Sequence, residues 1–217
     1  TLNRAIEFAL FLTLPATLAL AVASYPIMLV LFGRGAFDAH SAHLSAQSLS
    51  AYALGLPAYV LLKVLAPGFF ARGDTSTPVK IGVATLALNF ALNLALMGPL
   101  QHVGPPLATS IAAWFNAGCL GGLLLRRRFL RPDAELRRRL PRMAFASAAM
   151  AVALWFAEDP IFAALGMRLR WLALAFLVGL GLVAYFLAGQ ATGAFDVRDA
   201  FTRLAGRRNK RQPVPQS

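Results

Sequence analysis

Cysteine occurs once in this chain, as Cys119, so no internal disulfide and no thiolate metal site can form. Acidic residues are scarce, nine against 21 Lys and Arg. There is no Ser/His/acid set at motif spacing, no glycine-rich phosphate loop and no pair of carboxylates inside an apolar run. Asp38 and His40 are the only close acid–His pair and lack further ligands. These absences leave little room for an enzyme, and no metal or cofactor is expected. Strand-type alternation is missing as well, which argues against a β-barrel. The chain also lacks an initial Met and a signal-peptide pattern, and Arg4 and Glu7 lead straight into an apolar run. We therefore expect a piece of a longer polytopic protein, with further spans upstream.

What the chain does have is apolar length. Mean hydropathy is +0.62 and 58% of residues are hydrophobic, too apolar for an ordinary soluble domain of 217 residues. Apolar runs lie at 8–32, 45–66, 78–98, 104–125, 142–157 and 169–190. A spanning helix needs about 20 mainly apolar residues. Five runs meet this, and the fifth in order is short, meets Glu158-Asp159-Pro160 and continues over 161–167 as an interfacial turn. The expected fold is all-α, a polytopic membrane bundle of about six transmembrane helices. The last two runs are rich in small residues, Ala144, Ala148 and Ala151 on one, Ala175 and Gly179 on the other, at a spacing that lets helices approach closely.

The charges are segregated. Seventeen of the 21 basic residues flank one side of the runs: Arg4, Arg72, Lys80, eight arginines between Arg126 and Arg142, and six residues between Arg198 and Arg211. The other side has Arg34, Arg168 and Arg170, and Lys63 falls inside a run. Short loops rich in Lys/Arg stay cytoplasmic, so both ends of the segment are expected there. The net charge of +12 follows from topology and contact with anionic lipid headgroups, and nucleic acid is not an expected partner. The boundaries read as four helices over 1–126, a basic linker over 127–141, a helix pair over 142–190 and a basic, partly disordered tail over 191–217.

Several residues stand out within the runs. Pro15 predicts a kink in the first. Arg34, between Gly33 and Gly35, serves either as an interfacial anchor or as an external gate, with Asp38 or Ser41 capping the next helix. Lys63 shares a helical face with Tyr52, Leu56, Tyr59 and Phe70. A central lysine costs about 2.5–3.5 kcal/mol on insertion scales, so it either lines a wet cavity or snorkels to the interface. Pro57 and Pro67-Gly68 interrupt the second run and are hinge candidates. Arg72 and Asp74 sit in a tight cytoplasmic turn and can pair across it. Asn89 and Asn93, one turn apart, and Asn116 on the next run serve either as interhelical glue or as the lining of a polar path.

Three segments resemble the lipid II flippase family (MurJ/MviN), within the multidrug/oligosaccharidyl-lipid/polysaccharide exporter superfamily. They are YALGLP at 52–57, KVLAPGFFARGDTSTPVK at 63–80, and LFGRGAF at 31–37, with Asn89, Asn93 and Gly98-Pro99-Leu100 following in order. The resemblance runs over residues 2–200 and implies the last six spans of a fourteen-span transporter: four helices of the second lobe and an extra C-terminal pair that shapes a lipid-tail groove. It implies a partner, lipid II, moved from the cytoplasmic to the periplasmic leaflet of the bacterial inner membrane by alternating access, with the missing N-terminal spans holding most of the headgroup-binding arginines. Lys63, Asn89, Asn93, Asn116 and Arg34 are this segment's substrate-path candidates. A related polysaccharide-lipid or multidrug exporter, and a membrane scaffold for cell-wall enzymes, are the alternatives.

Overall fold

The computed structural model describes residues 2–35, 37–166 and 169–193. The described residues form α-helices and one 3-10 turn, without strands: α1 (Leu2–Val22), α2 (Ser24–Phe32), α3 (Ala39–Ala53), α4 (Leu56–Phe70), α5 (Ser76–Leu100), α6 (Gly104–Arg126), α7 (Ala134–Leu165) and α8 (Arg170–Ala191). The first two apolar runs are each a broken pair, α1/α2 and α3/α4. The stretch Ser76–Arg126 folds back on itself at the turn Gln101–Val103, where Gln101 takes a left-handed φ of 45°. Among the described residues five stretches are long and apolar enough to cross a membrane, and the longest, Ser76–Arg126, is two antiparallel helices, α5 and α6, which makes six crossings. The basic tail expected over 191–217 lies outside the described residues beyond Gly193.

The bundle buries little of its apolar surface. No residue of α5 is buried, and Val83, Leu86, Phe90 and Leu94 remain 62–70% exposed along one stripe. Such a face is untenable in water and needs lipid or further helices against it. The buried residues gather where α1, α4, α6 and α7 meet. One core joins Leu10, Leu65, Phe69, Leu120 and Leu124, and a second joins Ala23, Met150, Leu154, Leu177 and Tyr185.

The two ends are identified by their contacts. At the basic end Arg4 bonds Glu7 at 2.9 Å and Glu135 at 2.8 Å, and Arg139 bonds Glu135 at 2.6 Å and Glu7. This closed ring of alternating charge ties α1 to α7. At the other end Arg170 Nη1 donates to Gly33 O at 3.1 Å and the Arg34 guanidinium lies 5.6 Å from the Trp171 ring.

Two expectations about the last helices need correction. The charged segment 127–141 is helical in its second half, because Asp133 Oδ1 accepts Leu136 N at 2.8 Å and starts α7 at Ala134. Its buried Leu136 anchors this turn in the core, and α7 then runs on through Pro160 to Leu165 in place of ending near 157. The α7–α8 contact also uses a different stripe. Ala146, Met150 and Leu154 face Ala173, Leu177 and Gly181, whereas Ala144, Ala148, Ala175 and Gly179 are exposed. A Cβ on Gly181 would sit 3.2 Å from Leu154 Cδ2, whereas one on Gly179 would meet nothing. Each helix carries small residues on several faces, so small-residue spacing alone does not select the buried one.

Prolines explain where the first runs break. Pro15 has no N–H for the Phe11 carbonyl four residues back. α1 nevertheless continues as one helix, and Tyr185 Oη of α8 donates to Phe11 O at 2.9 Å. The run breaks at Ala23 instead, three residues before Pro26. There Ser50 Oγ of α3 donates to Ala21 O at 3.2 Å and to Ser24 Oγ at 2.9 Å.

Candidate functional site

The second run breaks at Leu54–Gly55, two residues before Pro57. The chain tightens there, and Gly55 N bonds Tyr52 O at 3.0 Å, three residues back. The Ala51 carbonyl then accepts Ser110 Oγ at 2.6 Å, and Leu54 O accepts Trp114 Nε1 at 2.8 Å, both from α6. Broken backbone inside a membrane survives when neighbouring helices satisfy it in this way. Gly55 is required by the same contact, since a Cβ would lie 2.7 Å from Ser110 Oγ and 3.1 Å from Ser110 Cα. Pro57 therefore sits beside the break, at the start of α4. Pro67 and Gly68 do not interrupt anything: α4 passes through them intact to Phe70. Only the first half of the expected discontinuity is present.

Lys63 is exposed on α4 and lines an open pocket of about 450 Å³ at the basic end, together with Pro67, Gly68 and Arg72. Arg72 and Asp74 do not pair. Arg72 Nη1 turns back to Gly68 O at 2.6 Å, and its guanidinium lies 4.3 Å from the Phe129 ring. Asp74 instead binds Arg127 at 2.5 Å, and it accepts Thr77 Oγ1 at 2.7 Å and Thr77 N at 3.0 Å, which caps α5. The Thr77 hydroxyl and N–H, with Arg127 beside them, hold the Asp74 carboxyl down at about 2. Arg72 is held away by the Gly68 carbonyl and the Phe129 ring, whereas Arg127 at the end of α6 arrives from the neighbouring helix. Both α4 and α6 close with the same hydrogen-bond pattern. Asp74 N bonds Phe69 O around Gly73, and Phe129 N bonds Leu124 O around Arg128, each central residue in the left-handed region.

Asn89 and Asn93 come together. Asn93 Nδ2 donates to Asn89 Oδ1 at 3.0 Å and to Asn89 O at 2.8 Å, and Asn89 Nδ2 approaches Thr109 Oγ1 of α6 at 3.4 Å. Tyr59 Oη reaches Thr109 O at 3.4 Å, so α4, α5 and α6 share one polar patch. Asn116 is two turns further along α6, and its Oδ1 is buried without a protein partner. Arg34 belongs to neither group. It lies exposed at the opposite end against Trp171, in keeping with an anchor.

A groove at the last helix pair is what the resemblance implies; the part that α1 takes in its wall was not visible in the sequence. A groove of about 300 Å³ runs between α1 and the α7–α8 pair, lined by Phe11, Ala16, Met150, Leu177, Leu182 and Phe186 among others, all apolar but for the Tyr185 hydroxyl. Tyr185 is engaged with Phe11 across 174 positions of chain, and no local signal links them. Gly55, two residues before Pro57, is the one missed residue that a Gly-x-Pro reading would have found.

A profile of the family described as Lipid II flippase MurJ matches residues 1–179. A probable lipid II flippase MurJ from Rhizobium meliloti (strain 1021) is 41% identical over 195 residues, covering 88% of this chain and 36% of the relative. The corresponding protein of Rhizobium tropici is 37% identical over 219 residues, covering 99% and 40%. A solved structure, Lipid II flippase MurJ in an inward closed conformation, superposes with a TM-score of 0.70 at 23% identity, over 88% of this chain and 38% of its own. That likeness shows the fold. The chain thus spans a little over a third of the length of these relatives. Five stretches long and apolar enough to cross a membrane, this fold and a family profile over most of its length make the chain a multi-pass membrane protein that belongs to the lipid II flippase MurJ family.

Proposed function

We propose that the chain is the C-terminal six-span portion of a lipid II flippase of the bacterial inner membrane. The whole protein moves an undecaprenyl-diphosphate-linked peptidoglycan precursor from the cytoplasmic to the periplasmic leaflet by alternating access. The basic end is cytoplasmic, because arginine-rich short loops are retained there. The observation that carries the reading is the apolar groove between α1 and the α7–α8 pair, which suits a polyprenyl tail that stays in lipid while its head crosses. The four-helix unit over 1–126 and the pair over 142–190 then have separate tasks, joined through the charged segment 127–141.

Moving a diphosphate past hydrocarbon requires cations that offset its lost hydration. Lys63 is this segment's cation for that path, with Asn89, Asn93 and Asn116 as polar lining. The break beside Pro57 is the hinge candidate with the clearest support, since α4 stays intact at Pro67 and Gly68.

Depletion of the full-length protein tests the reading. Lipid-linked precursor should accumulate on the inner leaflet, and Ala16→Trp at the exposed lip of the groove should produce the same accumulation more weakly. Unchanged precursor distribution on depletion would reject the flippase reading. Accumulation of a different polyprenyl-linked glycan would favour a related exporter.

A further inference from the structure

Lys63 and Arg72 open onto the same pocket at the basic end, walled by α1, α4 and Phe129. Among the described residues no carboxylate pairs with either of them. At this end Glu7 and Glu135 are bound by Arg4 and Arg139, Asp74 by Arg127 and Thr77, and Asp133 by the Leu136 N–H. These are the acids of the described residues at this end, and none lines the pocket. Two cations facing one open cavity without a carboxylate call for an anion from outside.

The geometry narrows its class. Arg72 is not a loose surface side chain, because the Gly68 carbonyl and the Phe129 ring hold its guanidinium against the pocket wall. A guanidinium carries five N–H donors, so the bond to Gly68 leaves donors for a ligand. Lys63 lies five residues before Gly68, about 7–8 Å along the helix axis. It sits deeper in the apolar run, with a flexible stem that can shorten this separation. A deep cation and an outer one, beside apolar walls from Leu2 and Val64, match an amphiphile whose phosphate groups lie at the interface and whose chain points into lipid.

We propose that this pocket binds the phosphate-bearing head of an inner-leaflet lipid, with Lys63 holding the phosphate nearer the chain and Arg72 the outer one. The site rests on the flippase reading only for which lipid fills it. A polyprenyl diphosphate and an anionic glycerophospholipid share the required chemistry, and two cations at one pocket suit the more highly charged diphosphate.

The test is native mass spectrometry of the full-length protein titrated with undecaprenyl diphosphate, phosphatidylglycerol and uncharged undecaprenol. Lys63→Gln and Arg72→Gln should each weaken undecaprenyl diphosphate binding by about threefold to tenfold, the weight of one partly exposed charge-assisted contact. Lys63→Arg should keep it, and undecaprenol binding should not change. An equal loss for phosphatidylglycerol identifies a general anionic-lipid site, and a smaller loss identifies a diphosphate site. Both outcomes support the proposal. Wild-type affinity for both charged lipids in the folded double variant overturns it, as does an equal loss for undecaprenol. Lys63→Met serves where the glutamine variant does not fold. Because only equilibrium binding is read, these results stand apart from those of the depletion experiment.

Discussion

Tyr185→Phe removes one hydroxyl from α8 and leaves the ring in place. That hydroxyl donates to the Phe11 carbonyl at 2.9 Å, which Pro15 has deprived of its helical donor, and it also interacts with Ser147. Side-chain hydrogen bonds between membrane helices average about 0.6 kcal/mol and reach about 1.7. A buried carbonyl that loses its donor costs about 1–3 kcal/mol, and the half-buried Phe11 carbonyl falls toward the lower end of that range. Tyr185 is 4% exposed, so little water can replace the hydroxyl. We expect a loss of about 1–2 kcal/mol. A double-mutant cycle isolates its origin. Pro15→Ala restores an N–H four residues after Phe11, so Tyr185→Phe should cost less in that background than in the wild type. The coupling energy should be about 1 kcal/mol, above the roughly 0.3–0.5 kcal/mol scatter of independent sites. Unfolding of the full-length protein in mixed micelles with rising dodecyl sulfate, followed by circular dichroism, measures all four corners. Equal costs of Tyr185→Phe in both backgrounds would refute the link between the proline and the tyrosine.

Three further outcomes follow from the same contacts. Gly55→Ala should destabilise by about 1–3 kcal/mol through overpacking, and adding Ser110→Ala should not restore the wild-type midpoint, because the 3.1 Å approach to Ser110 Cα remains. Glu7→Gln should cost about 1–3 kcal/mol and speed hydrogen exchange over residues 134–141, since Glu7 is 12% exposed and serves both Arg4 and Arg139. Asp74 has a carboxyl lowered from 3.8 to about 2, chiefly by Thr77, so its stabilising effect is complete above about pH 4 and is lost as pH falls toward 2. The midpoint difference between wild type and Asp74→Asn should therefore stay constant from pH 7 to 4 and shrink below that; a difference that shrinks already at pH 5 contradicts the Thr77 and Arg127 contacts.

The number of crossings, their order and the segregation of charge were legible because each rests on composition within one run. A run of 20 apolar residues is a span whatever it touches. The partners of individual side chains were not legible. Arg72 and Asp74 are two residues apart and of opposite sign, yet each finds its contact on the α6–α7 link, at Phe129 and Arg127. The stripe Ala146–Met150–Leu154 and the stripe Ala144–Ala148–Ala151 are equally plausible from spacing, and only the approach of Leu154 to Gly181 decides between them. Lys63 was legible as unusual, since a cation in an apolar run needs a reason, but its shared pocket with Arg72 depends on the return of Arg72 to Gly68.

The prolines carry this distinction one step further. A proline inside a span marks a carbonyl that lacks its helical donor, and that mark is local. What happens to the helix depends on a donor elsewhere in the chain. At Pro15 the hydroxyl of Tyr185 arrives and the helix continues. Near Pro26 and Pro57 the chain breaks, and Ser50, Ser110 and Trp114 donate to carbonyls freed by the breaks themselves, those of Ala21, Ala51 and Leu54. At Pro67 the helix continues beside an open pocket, where water or a lipid headgroup can reach the backbone. A break held by α6 is a fixed joint only while α6 stays in register with it. Sliding of α6 by one turn, about 5.4 Å, would release both Ala51 and Leu54 carbonyls together. The α3–α4 joint and the position of α6 are therefore one mechanical unit, and a hinge at Gly55 cannot open without moving Ser110 and Trp114.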